Sequence, residues 1–219
     1  MDRVNSYMKR RGSAAWLCYI PSMILGLHFI FSAYGFWLPN DPRGSWSEVV
    51  RQYELACFGP ATKVTTTRSV AAAPHDHARR LKAKQALKYP PVQFNGKQAQ
   101  AIAKGFAVAS HEANYRVLAL AIMPDHVHLL LERHPRHIDQ IASHLKAKAT
   151  QAMNEAGMHP MARYPLSNGC VPSPWARKYW CPFVDDERYM EAAIKYIEGN
   201  PVKAGLKRQR WSFVKPYRR

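Results

Sequence analysis

Two apolar runs, residues 115–123 and 126–133, are separated by Pro124 and Asp125 alone. So short a connection joins neighbouring antiparallel strands, because parallel strands need a crossover of about a dozen residues or more. Upstream, residues 97–114 place Ile102, Phe106 and Ala109 at helical spacing; downstream, residues 138–154 do the same with Ile138, Ile141, Leu145, Ala149 and Ala152. A β-branched and aromatic run within 23–34 predicts a first strand, residues 175–184 a last strand, and residues 186–199 a final helix. Apart from an elaboration after the first strand, the order is strand, helix, strand, strand, helix, strand, helix. That order predicts an α+β, ferredoxin-like plan: an antiparallel sheet with helices on one face, followed by a C-terminal helix.

The remaining segments are subordinate to this core. Residues 1–21 read as a basic leader, and 22–219 as a single domain with an insertion at about 41–94. Pro39, Asn40, Asp41, Pro42 and Gly44 give 37–44 the chemistry of turns. A short helix is predicted over 45–58 with Ser47 as its cap, and another over 78–89 that Pro90 and Pro91 stop. Residues 164–175, broken by Pro165, Gly169, Pro172 and Pro174, are loop. The uncharged stretch 12–40 follows Lys9, Arg10 and Arg11 and so has the outline of a signal anchor, but Pro21, Ser22, Gly26, His28, Ser32 and Gly35 interrupt it. A buried strand is the expected reading, with no membrane as partner.

Charge narrows the function. The 219 residues carry 32 Lys and Arg against 15 Asp and Glu, a formal net charge of +17. Such an excess favours a polyanionic partner. Between Ala61 and Lys104 the only acid is Asp76, and none follows Lys203. Cys18, Cys57, Cys170 and Cys181 form no C-x-x-C pair, so neither a zinc ribbon nor a disulfide framework is indicated and a reducing cytoplasm is expected.

In the run His126-Val127-His128-Leu129-Leu130-Leu131, strand alternation sends both imidazoles to one face and Val127, Leu129 and Leu131 to the other. Two imidazoles so placed can converge on one ion, although paired histidines on a strand also occur for purely structural reasons. His75-Asp76-His77 has the same spacing but lies in an Ala- and Pro-rich stretch, and is expected to be ordinary loop. On the final helix Met190, Ile194 and Ile197 define the buried stripe, while Tyr189, Ala193, Tyr196 and Asn200 border it. Tyr196 and Asn200 are i,i+4 neighbours, and Pro201 is expected to end the helix where Asn200 could turn its oxygen towards a metal. Trp175, Arg177, Lys178, Tyr179 and Trp180 interleave aromatic rings with cations, which suits either base stacking on DNA or a core strand; Lys146 and Lys148 are further candidates for phosphate contacts.

These residues carry a family resemblance. Met123-Pro124-Asp125-His126-Val127-His128-Leu129-Leu130 resembles the histidine-hydrophobic-histidine signature of the IS200-like and REP-associated tyrosine transposases. The run from Tyr196 to Leu206, YIEGNPVKAGL, is similar to their nucleophile helix, and the run from Trp37 to Trp46 to a longer branch of the group. The resemblance implies metal-dependent single-strand cleavage and transfer of DNA hairpins through a 5′-phosphotyrosine. Tyr196 would be the nucleophile, with His126, His128 and Asn200 as ligands of Mg²⁺ or Mn²⁺ and Lys203 as a DNA contact within the helix motif. Asn stands where insertion-sequence members often carry Gln, which points to the REP-associated branch. The implied setting is the bacterial nucleoid, as monomer or homodimer. No nucleotide cofactor is expected, since the chain has no G-x-x-x-x-G-K-[ST] loop. Two alternatives share parts of this pattern: a hairpin-binding protein that does not cut, and a metallohydrolase that uses water.

Overall fold

The computed structural model describes residues 24–41, 50, 53–61 and 74–218. The leader, the proposed Ser47 cap and residues 62–73 of the basic stretch lie outside the described residues. The elements are β1 (Gly26–Ala33), α1 (Tyr53–Ala56), α2 (His77–Gln85), α3 (Gly96–Ala113), β2 (Val117–Ile122), β3 (His126–Glu132), α4 (Ile138–Glu155), β4 (Trp175–Trp180), β5 (Phe183–Val184) and α5 (Glu187–Lys203).

The strand order is β2-β3-β1-β4, all pairings antiparallel, with β5 also pairing with β1. This is the split βαβ arrangement that the element order predicts. The predicted last strand divides in two at Cys181 and Pro182. On one face of the sheet α3 and α4 cover Phe29, Phe31, Val127, Leu129 and Leu131 with Ile102, Phe106, Ile141 and Leu145. Each such side chain contributes about 1.5–3 kcal/mol by leaving water, before the cost of chain ordering. The opposite face is covered by α5, whose Met190, Ala193 and Ile197 pack on Leu118, Ala121 and Leu130.

Local chemistry fixes the helices. Asn95 and Gln98 form a reciprocal capping box at the start of α3, with both bonds at 2.9 Å, and Asn114 ends the helix at φ 55°. α3 and α4 approach closely at Gly105, where a Cβ would lie 2.6 Å from the Ala149 Cα and collide with the Lys148 carbonyl. The stretch His75-Asp76-His77 departs from the loop expected of it. Asp76 caps α2 by accepting from Arg79 N at 2.9 Å, and His77 is the first helical residue. The loop before the insertion is tied to that cap, because Asn40 Nδ2 donates to the Asp76 carbonyl at 2.6 Å.

The chain after α5 returns along the outer edge of β2. The Gln209 amide accepts from Ile122 N at 2.8 Å and donates to its carbonyl at 2.7 Å, and Lys215 N donates to the Val117 carbonyl at 2.8 Å. An edge that would otherwise pair with another chain is thereby occupied. No helix among the described residues is long and apolar enough to cross a membrane.

Candidate active site

The alternation of β3 does what the sequence predicts. Val127, Leu129 and Leu131 enter the core beneath α3 and α4, while His126 and His128 stand on the α5 face. β1 contributes to the same face, since Ser32 is directly opposite His126 and Ile30 opposite His128. His28, two residues before Ile30, is the diagonal neighbour of His128.

Both imidazoles are held at Nδ1. His126 Nδ1 lies 2.7 Å from Asp125 Oδ1, and His128 Nδ1 lies 3.0 Å from His28 Nε2. The Phe36 ring stacks on His126 with centroids 5.1 Å apart, and the His126 and His128 rings meet edge to face at 4.9 Å. Burial holds His128 well below the ordinary histidine range, with the neighbouring His126 and His28 adding to the effect; burial alone brings His28 down to about 4. His128 and His28 are therefore neutral near pH 7, the state in which an imidazole nitrogen can ligate a metal.

α5 brings the tyrosine. Asp186 caps the helix by accepting from Tyr189 N at 2.7 Å, and Ile197 anchors it to the sheet. Tyr196, adjacent to that anchor, is 48 % exposed and sets its ring edge-on to His128 with centroids 5.5 Å apart. The Lys203 ammonium lies 5.6 Å from the Tyr196 ring centroid. Tyr189 packs against the smaller core cluster instead, where burial and then Asp185 and Asp186 raise its pKa.

One expectation about this helix is overturned. Pro201 does not end it; α5 continues to Lys203 with Pro201 buried inside. Proline withholds its own N–H and crowds the carbonyl four residues back, but the helix continues past it and closes as a Schellman motif. Leu206 N donates to the Pro201 carbonyl at 2.8 Å and Gly205 N to the Val202 carbonyl at 3.0 Å, with Gly205 at φ +73°. Asn200 therefore sits within the last turn, one turn beyond Tyr196. Its Nδ2 is buried without a hydrogen-bond partner, as is Ser32 Oγ.

The donor set fits the implied divalent ion. Among the described residues no three His, Cys, Asp or Glu side chains converge as a metal centre, so the histidine pair would need a ligand of another type. Rotating the Asn200 amide by half a turn would exchange its unsatisfied nitrogen for the carbonyl oxygen without moving the side chain, so that an oxygen donor would stand there instead. With both Nδ1 atoms engaged, the nitrogens left to the histidines are their Nε2 atoms.

The other candidates are dispersed. Trp175 is in the core, its ring 5.0 Å from Phe94 and its Nε1 donating to Thr150 Oγ1 at 3.0 Å. Tyr179 bonds Asp139 through its hydroxyl. Arg177 and Lys178 are exposed on β4. The Lys146 ammonium donates to the carbonyls of Ala176 at 2.9 Å and Lys178 at 3.3 Å, and burial lowers its pKa to about 8. Lys148 is paired with Glu112 at 2.6 Å. Of the candidate cations, only Lys203 accompanies the tyrosine. His28, Asp125 and Phe36 escaped the sequence reading. His28 was within reach of it, because a strand that buries Leu27, Phe29 and Phe31 on one side puts His28 on the other.

A REP-associated tyrosine transposase assignment belongs to a Haemophilus influenzae protein 28 % identical over 95 residues, which are 42 % of this chain and 52 % of that one. The match thus spans about half the length of that relative. A REP-associated tyrosine transposase solved with a REP hairpin superposes with a TM-score of 0.44 and 12 % identity, covering 86 % of this chain and 74 % of that one. A protein of Deinococcus radiodurans assigned as a transposase gives 0.34 and 19 %, covering 87 % and 96 %. The model of the family described as "Transposase IS200 like" matches residues 85–200, a segment of more than half the chain that contains both histidines, Tyr196 and Asn200, and the protein belongs to that family.

Proposed function

We propose that this protein cuts and rejoins single-stranded DNA beside hairpins, with Tyr196 as the nucleophile. The observation that carries the reading is the edge-on contact of the Tyr196 ring with His128, which puts an exposed phenol beside the histidine pair. In the proposed step the phenolic oxygen attacks a phosphodiester in line. The new bond joins Tyr196 Oη to phosphorus, the P–O3′ bond breaks, and the phenol loses its proton while the departing 3′-oxygen gains one. The product is a 5′-phosphotyrosine and a free 3′-hydroxyl, and attack by a 3′-hydroxyl reverses the bond change to restore Tyr196. Storing the phosphodiester as a covalent intermediate makes rejoining possible without a nucleotide cofactor.

His126, His128 and Asn200 would hold Mg²⁺ or Mn²⁺, which when bound supplies Lewis-acid stabilisation of charge on the phosphate oxygens. Asp125 and His28 hold the two rings in place, and Lys203 adds positive charge on the side of the tyrosine that faces solvent. The REP-associated branch, suggested by Asn at position 200, makes hairpin DNA with a single-stranded flank the substrate to offer.

Incubation of the full chain with end-labelled hairpin DNA and Mn²⁺, followed by a denaturing gel, tests the reading. A labelled protein–DNA adduct that proteinase removes is expected. Free cleavage products without an adduct would indicate a hydrolase, and intact DNA that the protein still binds would indicate a non-cutting hairpin binder; either result overturns the proposal.

A further inference from the structure

We infer that Asp125 and His28 are positioning residues that fix the ring orientation and tautomer of His126 and His128, so that both imidazoles present Nε2 to one point. The inference rests on the proposed role of that pair in holding a metal, but its primary content is the protonation site of each ring, which can be read without metal or DNA.

The two partners reach the histidines from independent, rigid supports. Asp125 lies in the tight connection between β2 and β3, and that connection is pinned from both sides: Phe94 N donates to the Pro124 carbonyl at 2.6 Å and Ala33 N to the Asp125 carbonyl at 2.9 Å. Its carboxylate oxygen lies 2.7 Å from His126 Nδ1, a contact that an ionised carboxylate makes only as acceptor, with the ring donating from Nδ1. Phe36, stacked on the ring face, limits rotation away from that contact. His28 comes from β1, is 6 % exposed, and sits 3.0 Å from His128 Nδ1. Between two neutral rings only one proton can occupy that contact. We place that proton on His128, so that His28 accepts at Nε2 and carries its own proton on Nδ1; the reverse direction would leave His128 protonated at Nε2.

With the protons so placed, both rings are Nδ1–H tautomers with the Nε2 lone pair bare. An isolated imidazole favours the opposite tautomer, so the preference has to be imposed by a partner at Nδ1. Metal-ligating histidines elsewhere are commonly held in this way, and loss of such a partner typically weakens metal binding about 10–100-fold.

The test uses the full chain with ¹⁵N-histidine, comparing wild type with Asp125→Ala, Asp125→Asn, His28→Ala and His28→Gln. Long-range ¹H–¹⁵N spectra of the metal-free protein report the tautomers, and Mn²⁺ titration followed by electron paramagnetic resonance reports affinity. Wild type is expected to show His126 and His128 as Nδ1–H. Asp125→Ala should release His126 to the Nε2–H form and weaken Mn²⁺ binding about 10–100-fold, with His28→Ala doing the same through His128. Asn at 125 and Gln at 28 retain an acceptor and should restore most of the affinity. Asp125 is partly exposed, so its variants should fold; His28→Gln preserves a polar group if His28→Ala does not.

An Nε2–H tautomer on either ring in wild type, or alanine variants that change neither tautomer nor affinity, would overturn the inference. Wild-type protein that shows both expected tautomers, and variants that switch them, supports it even if no Mn²⁺ binds; in that case the metal reading of the pair fails while the positioning stands.

Discussion

Tyr189 and Tyr196 lie on the same flank of α5, seven residues and about 10 Å apart along the axis, so both cannot serve one phosphate beside His128. The ring contact with His128 supports Tyr196 as the proposed nucleophile, while burial and the carboxylates of Asp185 and Asp186 raise the Tyr189 pKa. Tyr196→Phe removes one oxygen from a half-exposed side chain and should abolish the covalent adduct with little change in stability. Tyr189→Phe should retain it; peptide mapping of the adduct to Tyr189 would refute the assignment. The placement of His126, His128 and Tyr196 was legible because alternation on a strand and i,i+4 spacing on a helix are local rules, while the roles proposed for them came from the family resemblance. The contact between His28 and His128 was not, because it spans 100 residues and depends on how β1 registers against β3. Phe36 was hidden for a similar reason: its stacking on His126 requires the loop after β1 to fold back over the β2–β3 turn.

At the scale of elements, the sequence located each core helix and strand to within a few residues, since apolar periodicity fixes which segments must be covered. It misplaced the end of α5, because a proline is tolerated in a last turn whose carbonyls are satisfied by the following Gly205 and Leu206. It also missed the cap at Asp76, where capping chemistry was masked by a histidine spacing that drew attention to metals. The packing of α3 on α4 through Gly105 makes a clear prediction. Gly105→Ala drives a methyl group into the Ala149 backbone, which cannot yield as a side-chain tip would, and should lower unfolding free energy by about 1–3 kcal/mol in urea melts. Stability unchanged by this substitution would mean that the helices separate without cost. Lys146, wedged beneath β4, predicts a pH dependence. Its folded-state pKa of about 8 lies below the value of about 10.4 expected when unfolded. Between those values the unfolded chain binds more protons, so this group's contribution to stability rises with pH across that window. The stability of wild type relative to Lys146→Met should therefore be higher near pH 10 than below about pH 8. Urea melts that give the same difference at both pH values would contradict the burial of the ammonium.

Across the whole molecule, the net charge of +17 overstates what DNA can use. Lys148 is already paired with Glu112, Lys146 is spent on the carbonyls of β4, and Arg116 bonds Glu132 at 2.7 Å. Among the described residues, Lys203 lies beside Tyr196, and Lys207 and Arg210 are exposed in the segment that follows α5, where Arg208 pairs with Glu198 at 3.7 Å. Each phosphate they neutralise releases a counterion, so hairpin affinity should fall linearly with salt on a log–log scale, with a slope of about −0.7 to −0.9 per contact. If on the order of six contacts form, affinity falls by about a thousandfold between 50 and 200 mM salt. The decisive comparison is between two lysines of equal formal charge. Lys203→Ala should make the slope shallower by about one contact, whereas Lys148→Ala, which frees Glu112 on the far helical face, should leave it unchanged within error. Tyr196→Phe should also bind with the wild-type slope, because the phenol contributes to bond exchange rather than to charge neutralisation. Equal slopes for the Lys203 and Lys148 variants would place the DNA away from α5 and separate the binding surface from the tyrosine.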